Sequence, residues 1–199
     1  LRHGVTDWNR QARYQGSTDI ELSHDGRRMM KGQAALVEKL FECGVLDRRQ
    51  ISLVSSPLIR ARQSAAELAD HLDINPADIQ REAPLRELSM GRWEGLTSQQ
   101  VKDRFYNERK GRKADRWNFA PADGGESMAA RAPSILKAVA QLQPHSVVVS
   151  HAVVLRILLH ELGQQTRADA AQAAIPHQGL YVFQNSQFQL IGEEGISPL

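Results

Sequence analysis

Two short apolar runs constrain the fold of this chain more than any other feature. Each run is followed by a segment whose apolar residues have the spacing of an amphipathic helix. The runs cover residues 51–55 and 146–150, and the second contains Val147, Val148 and Val149. Such near-continuous apolar character is typical of a strand that is buried on both faces of a sheet. Strands that alternate with helices predict an α/β fold: a three-layer α/β/α sandwich with a mainly parallel central sheet.

Capping and turn signals place the other elements. Ser56-Pro57 has the order of an N-cap followed by proline at the first helical position, which predicts a helix from there to about residue 72. Thr97 to Gln100 forms a capping box at the start of a further helix. Apolar periodicity also predicts helices over residues 23–43, 127–142 and 153–162, and a closing hairpin of residues 180–183 with 188–191.

Composition excludes several classes of protein. Of the 199 residues, 41% are hydrophobic and 24% are charged, which suits one globular domain. The formal net charge of +2 gives no global argument for a nucleic-acid or membrane partner. Cys43 is the only cysteine, so no disulfide can form within the chain, and a cytoplasmic location is expected. We expect one domain over residues 1–199 with a short basic cap-like insertion around residues 97–125, and we allow for a homodimer.

Patterns that would indicate other enzyme classes are incomplete or absent in the sequence. Cys43 and Arg49 have the C-x5-R spacing of cysteine-dependent phosphatases, but the loop between them lacks the glycines that would ring a phosphate and contains Asp47, which would repel one. The alternative is a buried or half-buried thiol without a catalytic role. The sequence has no serine-hydrolase elbow, no H-E-x-x-H zinc motif and no glycine-rich nucleotide motif. No metal and no cofactor are therefore expected.

Five short segments carry residues that suit phosphate chemistry, and the four with Arg2-His3, Arg60, Glu87 and His151 lie just beyond predicted strands or at helix starts. Ligands of open α/β sheets lie at such positions. In chain order, the segments are residues 2–16 with Arg2-His3-Gly4, residues 55–65 with Arg60, residues 85–95 with Glu87, residues 124–127, and residues 148–151 with His151.

In their order and spacing these segments resemble the motifs of the histidine phosphatase (phosphoglycerate mutase-like) superfamily, and the resemblance covers essentially the whole chain. It implies a phosphomonoester hydrolase that acts on a small-molecule phosphate ester through a phosphohistidine on His3. By the same resemblance Arg2, Arg60 and His151 hold the phosphoryl group. Glu87 would give a proton to the leaving group and later take one from water. These roles agree with the chemistry of phosphoryl transfer, because a phosphate dianion repels nucleophiles until cations neutralise it.

The resemblance also implies phosphate contacts from the loop after the first histidine. Four residues would line the substrate phosphate: Thr6, Asn9, Gln15 and Gly16. Thr6 and Gln15 suit the alternative equally well, in which they only shape the turn after a strand.

Two further positions bear on the expected pocket. Ala152 follows His151 where the family usually has glycine, and its methyl group would narrow the pocket or shift a backbone contact. His177 falls in a loop that lies near the pocket in the family, and it is a further candidate.

Three functions stay open from the sequence. In mutases of the family the catalytic glutamate is followed by Arg-His-Tyr-Gly, which contributes to the site for a second anionic group. Here Glu87 is followed by Leu-Ser-Met-Gly, which favours a phosphatase over the alternative of a phosphoglycerate mutase. A non-catalytic binder of the same fold is disfavoured, because all of the residues that the resemblance makes catalytic are present.

Residues 102–116 contain seven lysines and arginines. One interpretation is a lid that recruits a multiply charged substrate. The alternative is a solvated helix face whose charge is balanced in part by Asp103, Glu108 and Asp115.

Overall fold

The computed structural model describes residues 1–184, 187–192 and 195–198. Short 3₁₀ turns occur at Pro76–Asp78, Ala83–Leu85 and Gly91–Trp93. In chain order, the helices and strands are α1 (Asp7–Arg10), α2 (His24–Glu42), β1 (Ser52–Ser55), α3 (Ile59–His71), β2 (Gln80–Arg81), α4 (Ser98–Arg104), α5 (Tyr106–Ala114), α6 (Met128–Val139), β3 (Ser146–Val149), α7 (Ala152–Glu161), α8 (Arg167–Gln172), β4 (Leu180–Gln184), β5 (Gln187–Gly192) and β6 (Gly195–Pro198).

The central sheet is parallel and has the strand order β2-β1-β3. Residues 1–3 extend it on the far side of β3. The Ser150 N–H donates to the carbonyl of Leu1 (2.9 Å), and the His3 N–H donates to the carbonyl of Ser150 (3.0 Å). Arg2 and His3 are thus fixed beside the carboxyl end of β3.

Alternate residues of the central strands face opposite layers, as the period of two in a strand requires. Leu53 and Val147 pack with residues of α2 and α3, whereas Val54 and Val148 pack with residues of α6 and α7. The predicted three-layer α/β arrangement with a parallel sheet is confirmed. The predicted closing hairpin is also confirmed, since β4 and β5 pair antiparallel, and β6 adds to it.

The predicted start of α3 is wrong by two residues. The helix begins at Ile59 with Leu58 as an N-cap that has no side-chain hydrogen bond. The hydroxyl of Ser56 is instead within hydrogen-bond distance of His151, so a polar contact across the sheet takes the group that the sequence pattern assigned to capping.

Cys43 is exposed at the C-terminal end of α2, so the expectation of a buried or half-buried thiol is wrong.

Within the described part of the chain, no helix combines the length and apolar character needed to cross a bilayer.

Two glycines let the first turn of α2 contact the loop that follows His3. A Cβ on Gly4 would lie 2.5 Å from the carbonyl oxygen of Gly26, and a Cβ on Gly26 would overlap the carbonyl oxygen of Val5. Both atoms are backbone, which cannot rotate away as a side chain can. Close packing of α2 therefore fixes the backbone on which His3 stands.

We expect Gly26→Ala to destabilise the protein by about 1–3 kcal/mol, because the added methyl group must displace the Val5 backbone. Gly32→Ala is the matched control. Gly32 lies in the same helix, and a Cβ there would have nothing within 4 Å, so alanine should stabilise the protein by about 0.5–1 kcal/mol. Urea unfolding measures both changes, and shifts of the same sign in the two variants would contradict this interpretation.

Candidate active site

The predicted catalytic residues meet at one edge of the central sheet. His3 ends the N-terminal segment, Arg60 lies in the first turn of the helix after β1, and His151 follows β3. The Ser150 hydroxyl donates to the carbonyl of Leu85 (2.8 Å), which ties the turn before Glu87 to the same edge. The fold thus brings together residues that lie up to about 150 positions apart in the chain, while their catalytic roles stay predictions.

His3 is buried, with 3% of its surface exposed. Its Nδ1 lies 2.7 Å from the carbonyl oxygen of Gly4, which can only accept, so Nδ1 carries the proton and Nε2 keeps its lone pair. Burial lowers the pKa of His3 well below its ordinary value, and nearby His151 and Arg60 lower it further. His3 is therefore a neutral imidazole whose Nε2 keeps a free lone pair.

His151 is completely buried, and its ring centroid lies 5.1 Å from that of His3. Its Nε2 lies 2.7 Å from the hydroxyl of Ser56, and that hydroxyl also accepts the Leu58 N–H (3.3 Å). Among the described contacts, Nε2 is the one acceptor available to the hydroxyl proton, so we assign that proton to the bond with Nε2 and the proton of His151 to Nδ1. Burial lowers the pKa of His151 well below its ordinary value, so Nδ1–H is a neutral donor. Within the described residues Nδ1 has no partner.

Arg60 is a buried cation held by the loop after α1. Its Nη1 donates to the carbonyl of Thr18 (2.8 Å) and its Nη2 to that of Gly16 (2.7 Å). In Arg2, Nη1 donates to the carbonyl of Ile175 (2.5 Å). The Nε–H of each arginine is buried without a partner in the described structure. Unpaired donors on buried cations favour binding of an anion.

Burial lowers the pKa of both arginines, to about 10 for Arg2, while the carboxyl of Glu87 raises them. Both guanidinium groups are therefore charged at neutral pH. Glu87 is half-buried, and its carboxylate accepts the N–H groups of Leu88 (3.1 Å) and Val153 (3.4 Å). Burial raises the pKa of Glu87, against the lowering effects of Arg60 and those two N–H groups. A carboxyl with a raised pKa is suited to proton transfer.

The four predicted phosphate-binding residues of the loop after His3 make different contacts. Thr6 and Asn9 form the capping box of α1: the Asn9 N–H donates to the Thr6 hydroxyl (3.2 Å), and the Thr6 N–H donates to Asn9 Oδ1 (2.9 Å). Gly16 has a φ of +54°, which favours glycine, and its carbonyl holds Arg60. Gln15 is buried, and its Oε1 is without a partner among the described residues. Contact of these residues with a phosphate stays a prediction.

Ala152 is the buried first residue of α7. It therefore lies at the site, next to His151. Whether its methyl group narrows the pocket stays a prediction. Among the described residues, no group of three or more His, Cys, Asp or Glu side chains is arranged to hold a metal ion.

His177 lies against His3, as its position in the sequence suggested. Its Nδ1 donates to the His3 carbonyl (2.7 Å), and the two ring centroids are 5.3 Å apart. Gln33 holds this loop from α2: its Nε2 donates to the His177 carbonyl (2.6 Å), and its Oε1 accepts the Gly179 N–H (3.2 Å). Gln33 gave no signal in the sequence, because a buried glutamine within a helical pattern cannot be told from a surface one.

Glu94 also escaped assignment, although it lies within one of the recognised segments. Its carboxylate accepts the N–H groups of Ser17 (2.8 Å), Thr18 (3.0 Å) and Met90 (2.9 Å). Burial raises the pKa of Glu94, but the hydrogen bonds from the Thr18 hydroxyl, the Met90 N–H and the N–H and hydroxyl of Ser17 together lower it below its ordinary value. Glu94 thereby fixes the loop whose carbonyls hold Arg60.

A parallel α/β sheet with two histidines, two arginines and a glutamate at its carboxyl edge defines a class of phosphoryl-transfer site. The model of the histidine phosphatase superfamily (branch 1) matches residues 1–189. The chain belongs to this superfamily, and the predicted family is confirmed.

Individual relatives are phosphatases of small metabolites by name. A glucosyl-3-phosphoglycerate phosphatase of Mycobacterium tuberculosis is 36% identical over 101 residues, which are 51% of this chain and 40% of that protein. Phosphoserine phosphatase 1 of Hydrogenobacter thermophilus is 30% identical over 168 residues, 79% of this chain and 72% of that protein. The structure of a mycobacterial glucosyl-3-phosphoglycerate phosphatase superposes with a TM-score of 0.68 at 30% identity, covering 87% of this chain and 82% of that one. The match to the M. tuberculosis sequence thus spans less than half of that relative's length.

The lowered pKa of His177 makes the fold less stable in acid. Its pKa is about 4 in the folded protein and has an ordinary value of 6.5, with burial as the main cause. Between these values the unfolded chain binds one more proton, so the free energy of unfolding falls as the pH is lowered through this window. His177→Asn, which removes this titration, should reduce the slope by up to about 1.4 kcal/mol per pH unit. Denaturant unfolding between pH 6.5 and 4 measures both slopes, and equal slopes would contradict the buried neutral state of His177.

Proposed function

We propose that the protein is a phosphomonoester hydrolase that acts on a small phosphorylated metabolite through a phosphohistidine on His3. One observation carries the proposal. A buried, neutral His3 with its lone pair on Nε2 lies at the same sheet edge as two charged arginines with unpaired donors. A nucleophile, cations for a dianion and a proton carrier are what phosphoryl transfer requires.

In the first step, Nε2 of His3 forms a bond to phosphorus as the bond from phosphorus to the ester oxygen breaks. Arg2, Arg60 and the Nδ1–H of His151 donate to the phosphoryl oxygens, where negative charge is concentrated. Glu87, whose pKa is raised by burial, gives its proton to the departing alkoxide. The products of this step are the free alcohol and a phosphohistidine.

In the second step, water attacks the phosphorus and the bond from phosphorus to Nε2 breaks. Glu87 left the first step as a carboxylate, so it takes the proton of the attacking water. The cationic donors hold the phosphoryl group throughout. Phosphate leaves, and His3 returns to its neutral state with Glu87 protonated for the next cycle.

The segment after Glu87 favours hydrolysis over the mutase alternative. The N–H of Ser89 donates to Glu126 (2.8 Å) and that of Met90 to Glu94 (2.9 Å). Residues 88–91 are thus tied by their backbone to two carboxylates and offer no cation to a second anionic group of a substrate. A non-catalytic binder remains the least supported alternative, because every proposed catalytic group is present.

We infer that residues 97–125, with α4 and α5, form a cap beside the site. Arg112 and Arg116 from this segment line a small cleft together with Leu88 and Val153, whose N–H groups bind Glu87. A homodimer, a cytoplasmic location and the absence of a nucleic-acid partner stay predictions from the sequence.

Replacing Glu87 by glutamine separates the two steps. An alkyl ester has a poor leaving group, so Glu87→Gln should lose roughly 10²–10⁴-fold in its hydrolysis, the usual range for one acid–base residue. Nitrophenolate leaves with little help, so p-nitrophenyl phosphate should still phosphorylate the protein while dephosphorylation slows. Stopped-flow absorbance should show a burst of nitrophenol followed by a slow steady state.

Glu21→Gln is the matched control, since Glu21 is exposed and outside the site; it should behave as the wild type does. Equal losses on both ester classes without a burst would show that Glu87 is not the acid. Transfer of the phosphoryl group to an acceptor alcohol in preference to water would favour the mutase alternative.

A further inference from the structure

The backbone of His3 lies where the pairing of the N-terminal segment with β3 ends. The His3 N–H donates to the Ser150 carbonyl (3.0 Å). In a continued parallel ladder, the N–H of residue 152 would donate to the His3 carbonyl. Ala152 is instead the first residue of α7, so the ladder stops. A buried carbonyl that loses its partner in the ladder needs another donor.

His177 supplies that donor from the loop before β4. Its Nδ1 donates to the His3 carbonyl (2.7 Å). Among the described contacts, this is the one hydrogen bond that the His3 carbonyl accepts. The two residues are 174 positions apart in the chain. A side chain from the C-terminal part of the chain thus completes the hydrogen bonding of the backbone that carries the proposed nucleophile.

The peptide unit between His3 and Gly4 is held from its other side as well. The Gly4 N–H donates to the Ser64 hydroxyl (3.0 Å), and that hydroxyl donates to the Arg60 carbonyl (2.7 Å). Both polar groups of this peptide unit are therefore bonded. The next carbonyl along the chain, that of Gly4, lies 2.7 Å from Nδ1 of His3. Rotation of the peptide unit would displace the group that keeps the lone pair on Nε2.

Gln33 holds the loop that carries His177. It is 2% exposed, and both ends of its amide are bonded: Nε2 donates to the His177 carbonyl (2.6 Å), and Oε1 accepts the Gly179 N–H (3.2 Å). A shift of the loop would leave these buried groups without partners, which is costly. The Ile175 carbonyl of the same loop accepts Nη1 of Arg2 (2.5 Å). One loop therefore holds two parts of the site.

We propose that His177 is a positioning residue for His3, held in place by Gln33, and that phosphoryl transfer depends on the hydrogen bond from its Nδ1 to the His3 carbonyl. This inference rests on the proposed function, because it concerns the nucleophile of that reaction. Displacement of an attacking atom by about 1 Å can lower the rate about 10²-fold. Phosphate binding is separable, because Arg60 and His151 are held by other segments.

His177 makes a second contact with His3 that is distinct from the hydrogen bond. The two ring centroids are 5.3 Å apart, and the interplanar angle is 73°. Two replacements of His177 separate these contacts. Asparagine keeps a donor at the position of Nδ1 and loses the ring, whereas leucine keeps an apolar side chain of similar size and loses the donor. If the hydrogen bond positions His3, only the leucine variant loses activity.

Hydrolysis of p-nitrophenyl phosphate measures the effect. Nitrophenol leaves in the first step, so kcat/KM reports phosphorylation of His3, while inhibition by inorganic phosphate reports binding of the phosphoryl group. His177→Leu should lower kcat/KM by about tenfold to a hundredfold, whereas the inhibition constant of phosphate should change by less than about threefold. His177→Asn should keep kcat/KM within about threefold of the wild type, because the donor is retained.

Gln178→Leu is the matched control. Gln178 is exposed and adjacent to His177, so this variant introduces leucine into the same loop without removing the hydrogen bond, and its kcat/KM should equal that of the wild type. Gln33→Leu releases the whole loop. It should lower kcat/KM and also weaken inhibition by phosphate, because the Ile175 carbonyl no longer holds Arg2.

Circular dichroism and urea unfolding check that each variant is folded. Should His177→Leu not fold, His177→Ser takes its place, because the serine hydroxyl ends one bond short of Nδ1. A wild-type kcat/KM in the variant without the donor would overturn the proposal. An equal loss in His177→Asn would overturn it in favour of ring packing, and a large rise in the inhibition constant of phosphate in favour of general disruption. A wild-type kcat/KM in Gln33→Leu would overturn the role of Gln33.

Failure of the proposed function itself is distinguishable, because the wild type would then hydrolyse no ester. Nitrogen NMR of the His3 ring decides the positioning role in that case. A single Nδ1–H tautomer in the wild type and in His177→Asn, which becomes a mixture of tautomers in His177→Leu, supports the role. Any other pattern among these proteins overturns it.

Discussion

Within the described residues, the buried arginines of this site form no ion pair with a carboxylate, and the site depends on this constraint. The fold buries Arg60 to 1% exposure, and its guanidinium donates to the carbonyls of Thr18 and Gly16. Carbonyl dipoles orient a cation but do not cancel its charge, so the site keeps a positive potential. The same potential, together with burial, holds His3 and His151 neutral. A dianion is the ligand that relieves both the unpaired donors and the repulsion.

Parallel pairing of the central strands brings the residues of the site to one edge of the sheet. The carboxyl ends of β1 and β3 and the N-terminal residues meet at one edge, where the Ser56 hydroxyl reaches His151 and the Ser150 hydroxyl reaches the turn before Glu87. Packing of α2 then fixes the loop after His3 through two glycines that face backbone. His3, the proposed nucleophile, is thus held by secondary structure on both sides, which limits the motion that would weaken an in-line attack.

The sequence predicted β1, β3, the hairpin of β4 and β5, the three layers and the family, because these follow from periodicity and from short local segments. It did not predict β2 or β6. It could not predict the start of α3, since the hydroxyl of Ser56 is drawn to a histidine 95 positions away. Gln33 was missed for a similar reason: its partners His177 and Gly179 lie about 145 positions along the chain. Local sequence patterns show which hydrogen bonds a side chain can form. Contacts across the sheet determine which of these hydrogen bonds do form.

The basic residues of the segment 102–116 show a further limit of prediction from sequence. Counting its charges gave two interpretations that composition could not separate, because a solvated helix face and a charged pocket wall have the same residues. Tertiary structure divides the set by exposure: Lys110 faces solvent, whereas Arg112 and Arg116 are half-buried in the wall of a pocket. Tertiary packing therefore decides which basic side chains of this segment face solvent and which face a pocket.

Trapping the covalent intermediate tests the central claim most directly. The protein is mixed with a labelled phosphomonoester and quenched in alkali within milliseconds, and the attached phosphoryl group is located by mass spectrometry of peptides. We predict an alkali-stable, acid-labile phosphoryl group on Nε2 of His3 that is absent from His3→Gln. Label on any other residue, or label that persists in His3→Gln, would contradict the account.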